Sequence, residues 1–399
     1  MKTPKGTRDS DVQRESLRSE MLRECEKVFA LYGGKRIDTP TFELYDMLME
    51  KYQNDETEKE IFVLESKKEN SEKCALRYDL TVPFSRYVKM NRIKSMKRYQ
   101  IGKVFRRDKP SPGRYREFMQ CDYDCLGKND EVRTDIETLT LLNDILTILK
   151  EKFGLPEYVI RINSREIIND MFLTCDIPES LLLTVCSSID KLDKSSWNEV
   201  RVEMVEKGVS EISLEKLERS LFQDNLLSNA KMERIMKENI PLTFDISLCR
   251  GLTYYTGIIF EVVLTNQNSP SIAGGGRYDN LCGIPCVGFS LGIDRILDYV
   301  KLEKKSSIKV WVLEINKTNK TEITDYRMEI VRMLRKAGIS CDTSLKSILQ
   351  KPVKKQFKYA SDNNIPYVII VGETEYNDKV VTLKDMNNKT QKTVNLNDL

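Results

Sequence analysis

Two extended segments joined by a tight loop constrain the fold of this 399-residue chain more than any other feature. They span residues 97–124 and are separated by Lys109-Pro110-Ser111-Pro112-Gly113, whose proline and glycine residues favour a turn. Strands joined by so short a connection pair antiparallel, because a parallel pair needs a long crossover. The sequence therefore predicts an antiparallel sheet in this part of the chain.

The second of these strands has an unusual face. Side chains alternate along a strand, so one face carries Arg114, Arg116, Phe118, Gln120, Asp122 and Asp124. The first strand ends in Arg106, Arg107 and Asp108. Such a face makes a poor hydrophobic core. It fits equally well the solvated side of an antiparallel sheet, which is common, or the wall of a ligand site.

The chain contains no histidine. This excludes Ser-His-Asp and Cys-His catalysis, a histidine general base and histidine-ligated metals. Ten cysteines, in a chain without a secretion signal, are interpreted as reduced thiols. The pairs Cys121/Cys125 and Cys282/Cys286 are interpreted as buried thiols, since a zinc site needs more ligands at tighter spacing. A formal charge of +3 says little about partners.

The remaining pattern divides the chain into regions. Helices are predicted over residues 14–32 and 135–153, and a strand over 158–163. Residues 50–72 are predicted to be a charged excursion around a short strand at 61–64. Residues 165–240 have many helical periods and almost no strand pattern, which indicates a helical insertion. Strand character returns over 241–264, and residues 301–307 are the best linker candidate. Beyond them, strands alternate with helices, which is typical of an α/β domain of about 90 residues.

The N-terminus has neither an apolar signal core nor the composition of a transit peptide. No apolar run approaches the roughly 18 residues that a membrane span requires. We therefore expect a cytoplasmic protein with no membrane partner.

Several ordered segments together resemble one family, the histidyl-tRNA synthetases, which are class II aminoacyl-tRNA synthetases, and most of all their eukaryotic cytosolic form. The matching segments are residues 4–9 (PKGTRD), 79–84 (DLTVPF), 105–108 (FRRD), 113–118 (GRYREF), 120–124 (QCDYD), 250–257 (RGLTYYTG), 274–279 (GGGRYD) and 288–295 (GFSLGIDR). The segment 250–257 is the one specific to the histidine enzymes rather than to class II synthetases in general.

The resemblance implies an α+β catalytic domain, with a mostly antiparallel sheet flanked by helices, over residues 1–165 and 239–303. It also implies a helical insertion domain over 166–238 and a C-terminal α/β anticodon-binding domain over 307–399. Pro40 would lie in the first class II motif at the interface of a homodimer. The predicted strand pair would be the second motif, and residues 288–295 the third.

The implied activity is that of a histidine–tRNA ligase, which uses ATP and Mg²⁺ to convert L-histidine to histidyl-adenylate and then charges histidine tRNA. The resemblance assigns catalytic roles to Arg250 and Arg106, at the α-phosphate. It assigns histidine binding to Asp79, Thr81, Gln120, Asp124, Tyr254 and Tyr255. It assigns ATP binding to Arg106, Asp108, Arg114, Phe118 and Arg295. It does not indicate the ligands of the metal.

Alternative interpretations stay open at three points. Tyr254 and Tyr255 could be ordinary core aromatic residues, although the flanking Arg250-Gly251 and Thr256-Gly257 favour a functional role. A basic helix at about 346–361, with Lys346, Lys351, Lys354, Lys355 and Lys358, fits a solvated face as well as contact with tRNA phosphates. The alternative function is a catalytically inactive, synthetase-like regulatory module that senses tRNA or histidine. Such modules tend to lose the arginines that hold ATP.

Overall fold

The computed structural model describes residues 1–52, 59–65, 72–193, 195–222, 229–249, 254–265, 270–300, 306, 308–315, 320–344 and 352–398. The chain divides into two compact units, Met1–Lys301 and Leu302–Leu399. The predicted linker at 301–307 falls at this division, but most of its residues lie outside the described ones.

Within its described residues, the first unit is built on an eight-stranded sheet. The strands that form this sheet are β1 (Lys35–Arg36), β4 (Met96–Phe105), β5 (Glu117–Leu126), β6 (Tyr158–Ser164), β7 (Leu242–Phe244), β8 (Ile258–Leu264), β9 (Ala273–Arg277) and β10 (Cys286–Gly292). They lie in the order β1-β4-β5-β10-β9-β8-β6-β7. Every neighbouring pair is antiparallel except β1 with β4 and β6 with β7. The prediction of a mostly antiparallel sheet is confirmed.

The predicted strand pair forms β4 and β5, with Arg98 opposite Asp124 and Gly102 opposite Gln120. One part of the predicted polar face was wrong. Since β5 begins at Glu117, Arg114 and Arg116 precede the strand and lie in the connecting loop. Likewise β4 ends at Phe105, so Arg106 to Asp108 follow it. The loop therefore contributes charged side chains that the alternation of the strand does not govern.

Helices cover this sheet. Its helices are α1 (Val12–Leu31), α3 (Thr81–Met90), α4 (Glu131–Phe153) and α10 (Ile293–Tyr299). The carboxylate of Asp11 caps α1 by accepting from the backbone N–H of Arg14 at 2.8 Å. Gly154 ends α4 in a left-handed conformation that glycine adopts without strain. A single apolar core joins α1, α4 and α10 to the sheet.

A small subdomain precedes the second sequence motif. It consists of β2 (Phe42–Leu44), α2 (Tyr45–Tyr52) and β3 (Cys74–Leu76), with β2 and β3 paired antiparallel. The helix α2 was not predicted, since its eight residues show too short a period to identify. The strand expected at 61–64 is reduced to one bridge between Val63 and Ala75.

The region predicted to be a helical insertion contains helices and no strand among its described residues. Its helices are α5 (Arg165–Thr174), α6 (Leu182–Ile189), α7 (Trp197–Glu206), α8 (Glu211–Phe222) and α9 (Ala230–Ile235). The first four enclose a separate apolar core. In contrast, Met232 and Ile235 of α9 pack in the main core of the sheet.

The second unit has a five-stranded mixed sheet in the order β12-β11-β13-β14-β15. Its strands are β11 (Val310–Ile315), β12 (Cys341–Thr343), β13 (Tyr367–Gly372), β14 (Val380–Asp385) and β15 (Thr390–Asn395), and its helices are α11 (Thr321–Lys336), α12 (Val353–Asp362) and α13 (Glu373–Asp378). The α/β prediction is confirmed. Lys354, Lys355 and Lys358 are exposed on α12, whereas Lys346 and Lys351 lie outside the described residues.

None of the described helices has the length and apolar character needed to cross a bilayer. Cys121, Cys125, Cys282 and Cys286 are buried and unpaired. Burial raises the pKa of the Cys282 thiol to about 12, so it is protonated at neutral pH.

Candidate active site

A cavity of about 290 Å³ lies within the first unit. Strands β5, β8, β9 and β10 form its walls, together with the segments that precede α3 and β5. All the predicted site residues that the structure describes line it, namely Asp79, Thr81, Arg106, Asp108, Arg114, Phe118, Gln120, Asp124, Tyr254, Tyr255 and Arg295. Arg250 lies outside the described residues. The polar face of β5 is thus the wall of a cavity and not a solvated surface.

The cavity changes character along β5. Phe118, Gln120, Asp122 and Asp124 all point into it. A strand rises about 3.4 Å per residue, so Phe118 and Asp124 are about 20 Å apart along the wall. The aromatic ring lies at the end where the arginines enter, and the carboxylates lie at the other end.

Three buried carboxylates form the acidic end. Asp79 accepts hydrogen bonds from the backbone N–H groups of Thr81 (3.0 Å) and Val82 (2.9 Å), which fixes it at the start of α3. Burial raises the pKa of Asp122 to about 7, although Arg98 opposes the shift. Burial also raises the pKa of Asp124, against the effects of Arg98 and the Tyr278 hydroxyl. This end of the cavity is suited to a cation.

Arginines form the opposite end. The guanidinium carbon of Arg106 lies 4.1 Å from the centre of the Tyr78 ring and 5.3 Å from that of Phe118. Its Nε donates to the carbonyl of Tyr78 at 3.1 Å. Arg295 donates to the carbonyls of Gly113 (2.9 Å) and Ser271 (2.7 Å). Because arginine stays charged and forms bidentate contacts, this end is suited to phosphate.

Arg114 is held by the carboxylate of Asp108, which lies beside Glu60. Its Nε and Nη2 donate to Asp108 at 2.8 and 3.0 Å. Burial opposes ionisation of Asp108, but hydrogen bonds from Glu60 and Arg114 keep its pKa below the ordinary value. Burial and the neighbouring Asp108 raise the pKa of Glu60. Asp108 is therefore the more readily ionised of the two carboxyl groups.

Tyr254 and Tyr255 form an aromatic wall with Tyr278. The ring centres of Tyr254 and Tyr255 are 5.1 Å apart, and Tyr278 lies 5.6 Å from the first and 6.5 Å from the second. Burial, together with Asp124 and Asp79, raises the pKa of Tyr255. The hydroxyl group of Tyr255 is therefore protonated and able to donate.

One residue that supports this cavity was not among the predicted site residues. Asp294 accepts from Arg8 (3.1 Å), from Arg18 (2.9 Å) and from the backbone N–H of Met119 (2.7 Å). It therefore ties α1 and α10 to the part of β5 between Phe118 and Gln120. Its place in the segment 288–295, directly before Arg295, was the available signal.

The sequence and the fold match those of known proteins. A family model described as histidyl-tRNA synthetase matches residues 6–296, and one described as an anticodon binding domain matches residues 309–399. The mitochondrial histidine–tRNA ligase of Mus musculus is 37% identical over 445 residues, which cover 99% of this chain and 86% of that protein.

A probable cytoplasmic histidine–tRNA ligase of Vairimorpha ceranae (strain BRL01) is 36% identical over 100% of this chain and 98% of its own length. Among solved structures, the crystal structure of histidyl-tRNA synthetase from Nostoc sp. PCC 7120 matches with a TM-score of 0.80 and 25% identity, over 99% of this chain and 96% of that one. Since the family model spans most of the chain and full-length relatives share more than a third of its residues, the chain belongs to the histidyl-tRNA synthetase family.

Proposed function

We propose that this chain is a histidine–tRNA ligase. It activates histidine with ATP to histidyl-adenylate and transfers the histidyl group to the 3′ end of histidine tRNA. The observation that carries the proposal is the division of one cavity into an acidic end and an arginine-rich end. An amino acid with its ammonium at the acidic end directs its carboxylate towards the arginines, where the α-phosphate of ATP would lie.

This chemistry suits a chain without histidine. The substrate carboxylate is already a nucleophile, so activation needs no protein base. It needs positive charge at the phosphate as negative charge develops there, and correct positioning. Arg106 holds the α-phosphate and the substrate carboxylate. Arg250, four residues before the cavity-lining Tyr254, contacts the same phosphate from the other side.

The remaining ATP contacts come from both sides of the arginine-rich end. Phe118 stacks on adenine, and Arg295 covers the opposite face of the base. Arg114 and Asp108 contact the nucleotide from the loop. Mg²⁺ would be supplied with ATP and would be held mainly by its phosphates, with only one or two carboxylates contributing.

The acidic end binds histidine. Asp79, Thr81, Gln120 and Asp124 contact the substrate, mainly through its ammonium group. Tyr254 and Tyr255 face the imidazole ring. Support for these roles comes from the burial of both carboxylates and from the aromatic wall beside them.

The tRNA is bound in part by the second unit. The match of residues 309–399 to an anticodon binding domain supports this role. Exposed Lys354, Lys355 and Lys358 on α12 contact tRNA phosphates. We assign residues 1–165 and 239–303 to the catalytic domain, 166–238 to the insertion domain and 307–399 to the anticodon-binding domain.

The enzyme acts as a homodimer. Support comes from β2 and from the segment that bridges to β3, where Phe42, Leu44, Val63 and Leu64 are exposed to between 38% and 54%. Clustered exposed apolar residues mark interfaces in folded proteins, and this patch follows Pro40 of the first motif. Light scattering tests the association state, and a monomer at micromolar concentration would refute it.

The cytoplasm is the proposed location, in line with the cytoplasmic relatives from Vairimorpha ceranae and Dictyostelium discoideum. Fluorescence microscopy of a tagged chain tests it.

Histidine-dependent ATP–pyrophosphate exchange tests the function directly, with each other amino acid measured beside histidine. We expect exchange with histidine alone, and its loss in Arg250→Ala and Arg106→Ala. Charging of histidine tRNA then tests the second step. A folded protein that binds tRNA but catalyses no exchange would refute the ligase and favour the regulatory module. The presence of Arg106 and Arg295 in the cavity favours the enzyme.

A further inference from the structure

Arg98 lies beneath the acidic end of the cavity and was not among the predicted site residues. It is on β4, directly opposite Asp124 of β5. Its side chain is fully buried, with 0% exposure. Its Nη2 lies 2.5 Å from Oδ2 of Asp124, and its guanidinium carbon lies 4.4 Å from the centre of the Phe84 ring. A buried arginine at this position requires a charged partner, because an unpaired charge there would be very costly.

Asp124 is held on both of its oxygens. Arg98 contacts Oδ2, and the hydroxyl group of Tyr278 donates a short hydrogen bond to Oδ1. Gly288 lies opposite Asp124 on β10, and its missing side chain leaves room for this carboxylate. These contacts fix the direction in which the carboxylate faces the cavity.

Arg98 also determines the charge of this end. The titratable groups that face the Arg98–Asp124 pair are otherwise acidic or neutral: Asp79, Asp122, Tyr255, Tyr278, Cys282 and Cys286. Burial raises the pKa of Asp122 and of Asp124, and the guanidinium of Arg98 opposes both shifts. Burial works against the charge of Arg98 itself, but Asp124 and Asp122 raise its pKa, so it stays protonated.

We propose that Arg98 is a positioning residue for the amino acid substrate, which acts by favouring the charged forms of Asp124 and Asp122 and by orienting Asp124. The proposal rests on the proposed function, because it concerns the same cavity. Arg98 contacts no substrate. It makes the acidic end attractive to the ammonium group at neutral pH, where buried carboxylates would otherwise take up protons.

The test compares Arg98→Met and Arg98→Lys with the wild-type enzyme in pyrophosphate exchange across pH. An adjacent arginine lowers the pKa of a carboxyl group by about 1–3 units, so Arg98→Met should move the acid limb of kcat/KM for histidine upward by about one unit or more. At neutral pH the KM for histidine should rise about fivefold or more, since moving the pKa of Asp122 from about 7 to about 8 lowers its ionised fraction at pH 7 from about one half to about one tenth. The KM for ATP should stay close to the wild-type value.

Arg98→Lys keeps the charge but not the planar guanidinium. We expect an increased KM for histidine without movement of the acid limb. If Arg98→Met does not fold, Arg98→Lys alone tests the proposal. An unchanged KM for histidine in Arg98→Lys then overturns it. A folded Arg98→Met enzyme with unchanged KM for histidine and unchanged acid limb overturns it as well.

Arg327→Met is the matched control. Arg327 is a buried arginine of the second unit, 3.3 Å from the carboxylate of Glu314. Its loss should lower stability but leave both KM values and the acid limb unchanged, because pyrophosphate exchange needs no tRNA. A wild-type protein without histidine-dependent exchange refutes the proposed function. Histidine binding measured by calorimetry then tests Arg98 separately, and a wild-type protein that binds no histidine overturns both.

Discussion

Gly288→Ala is the substitution whose effect the structure specifies most closely. An ideal Cβ at this position would lie 2.1 Å from Oδ1 of Asp124 and 2.5 Å from the backbone carbonyl of Tyr123, whereas ordinary contact begins at 3.4 Å. The carbonyl belongs to β5, which pairs with β10 along seven residues and cannot easily move. The side chain of Asp124 must therefore give way, and with it the contacts to Arg98 and Tyr278, while the clash with the carbonyl strains the pairing of β5 with β10.

Two effects set the magnitude. Overpacking of a well-packed site costs about 1–3 kcal/mol. Breaking a buried ion pair costs about 3–5 kcal/mol. The displaced Asp124 stays partly paired, so only a fraction of this cost applies. Alanine also lowers the conformational entropy of the unfolded chain, which stabilises the folded protein by about 0.4–1 kcal/mol. We expect the free energy of unfolding to fall by about 2–4 kcal/mol and histidine binding to weaken by about tenfold or more.

Urea unfolding and histidine calorimetry measure the two quantities. Gly274→Ala is the matched control for stability, because Gly274 lies on the neighbouring strand β9 and the nearest atom to its ideal Cβ is 3.6 Å away. It should leave the free energy of unfolding within about 1 kcal/mol of the wild-type value. A Gly288→Ala protein as stable as Gly274→Ala, with wild-type histidine affinity, would refute the reasoning.

Three further predictions follow from the same contacts. The folded-state pKa of Asp122 is raised by burial from 3.8 to about 7, so its contribution favours folding at low pH and is lost as pH rises through about 7. Asp122→Asn should therefore raise the melting temperature more at about pH 8.5 than at about pH 5.5, and equal shifts would contradict this. Arg106→Lys should lower the exchange rate about 10²–10³-fold with histidine binding retained, since an ammonium cannot bind phosphate bidentately; calorimetry and exchange kinetics separate the two. Arg277→Met should lower the free energy of unfolding by about 3–5 kcal/mol, because it strands the buried Asp135 whose carboxylate Arg277 contacts at 2.6 Å; a loss below 1 kcal/mol in urea would exclude this role.

The sequence predicted the residues whose placement depends on local periodicity. Phe118, Gln120 and Asp124 share one face because side chains alternate along a strand, and this needs no knowledge of the rest of the fold. The same rule failed at Arg114 and Arg116, since nothing local shows that β5 begins at Glu117. The boundary is set by pairing with β4, which ends at Phe105.

Residues that matter through distant partners were beyond sequence reasoning. Arg98 lies between Lys97 and Tyr99 in the sequence, which indicates a surface charge. Its position opposite Asp124 buries it completely. Asp294 contacts Arg8 across 286 residues of sequence, and no period relates the two. The opposite pKa shifts of Glu60 and Asp108 likewise depend on a tertiary approach.

The position of β10 has a consequence for synthesis of the protein on the ribosome. This strand lies in the middle of the sheet, between β5 and β9, yet it is the last strand of its unit to be made. The contact between Arg8 and Asp298 likewise joins residues 290 positions apart. At a synthesis rate of about 5–20 residues per second, α10 emerges from the ribosome about 15–60 s after α1.

During that interval the nascent chain exposes two strand edges, on β5 and β9, that the finished sheet hides. One wall of the cavity does not yet exist, because β10 supplies Gly288 and Ser290 to it. Substrate therefore cannot assist the folding of the growing chain. A chain released before residue 292 would carry most of the sequence motifs of the family but no binding site.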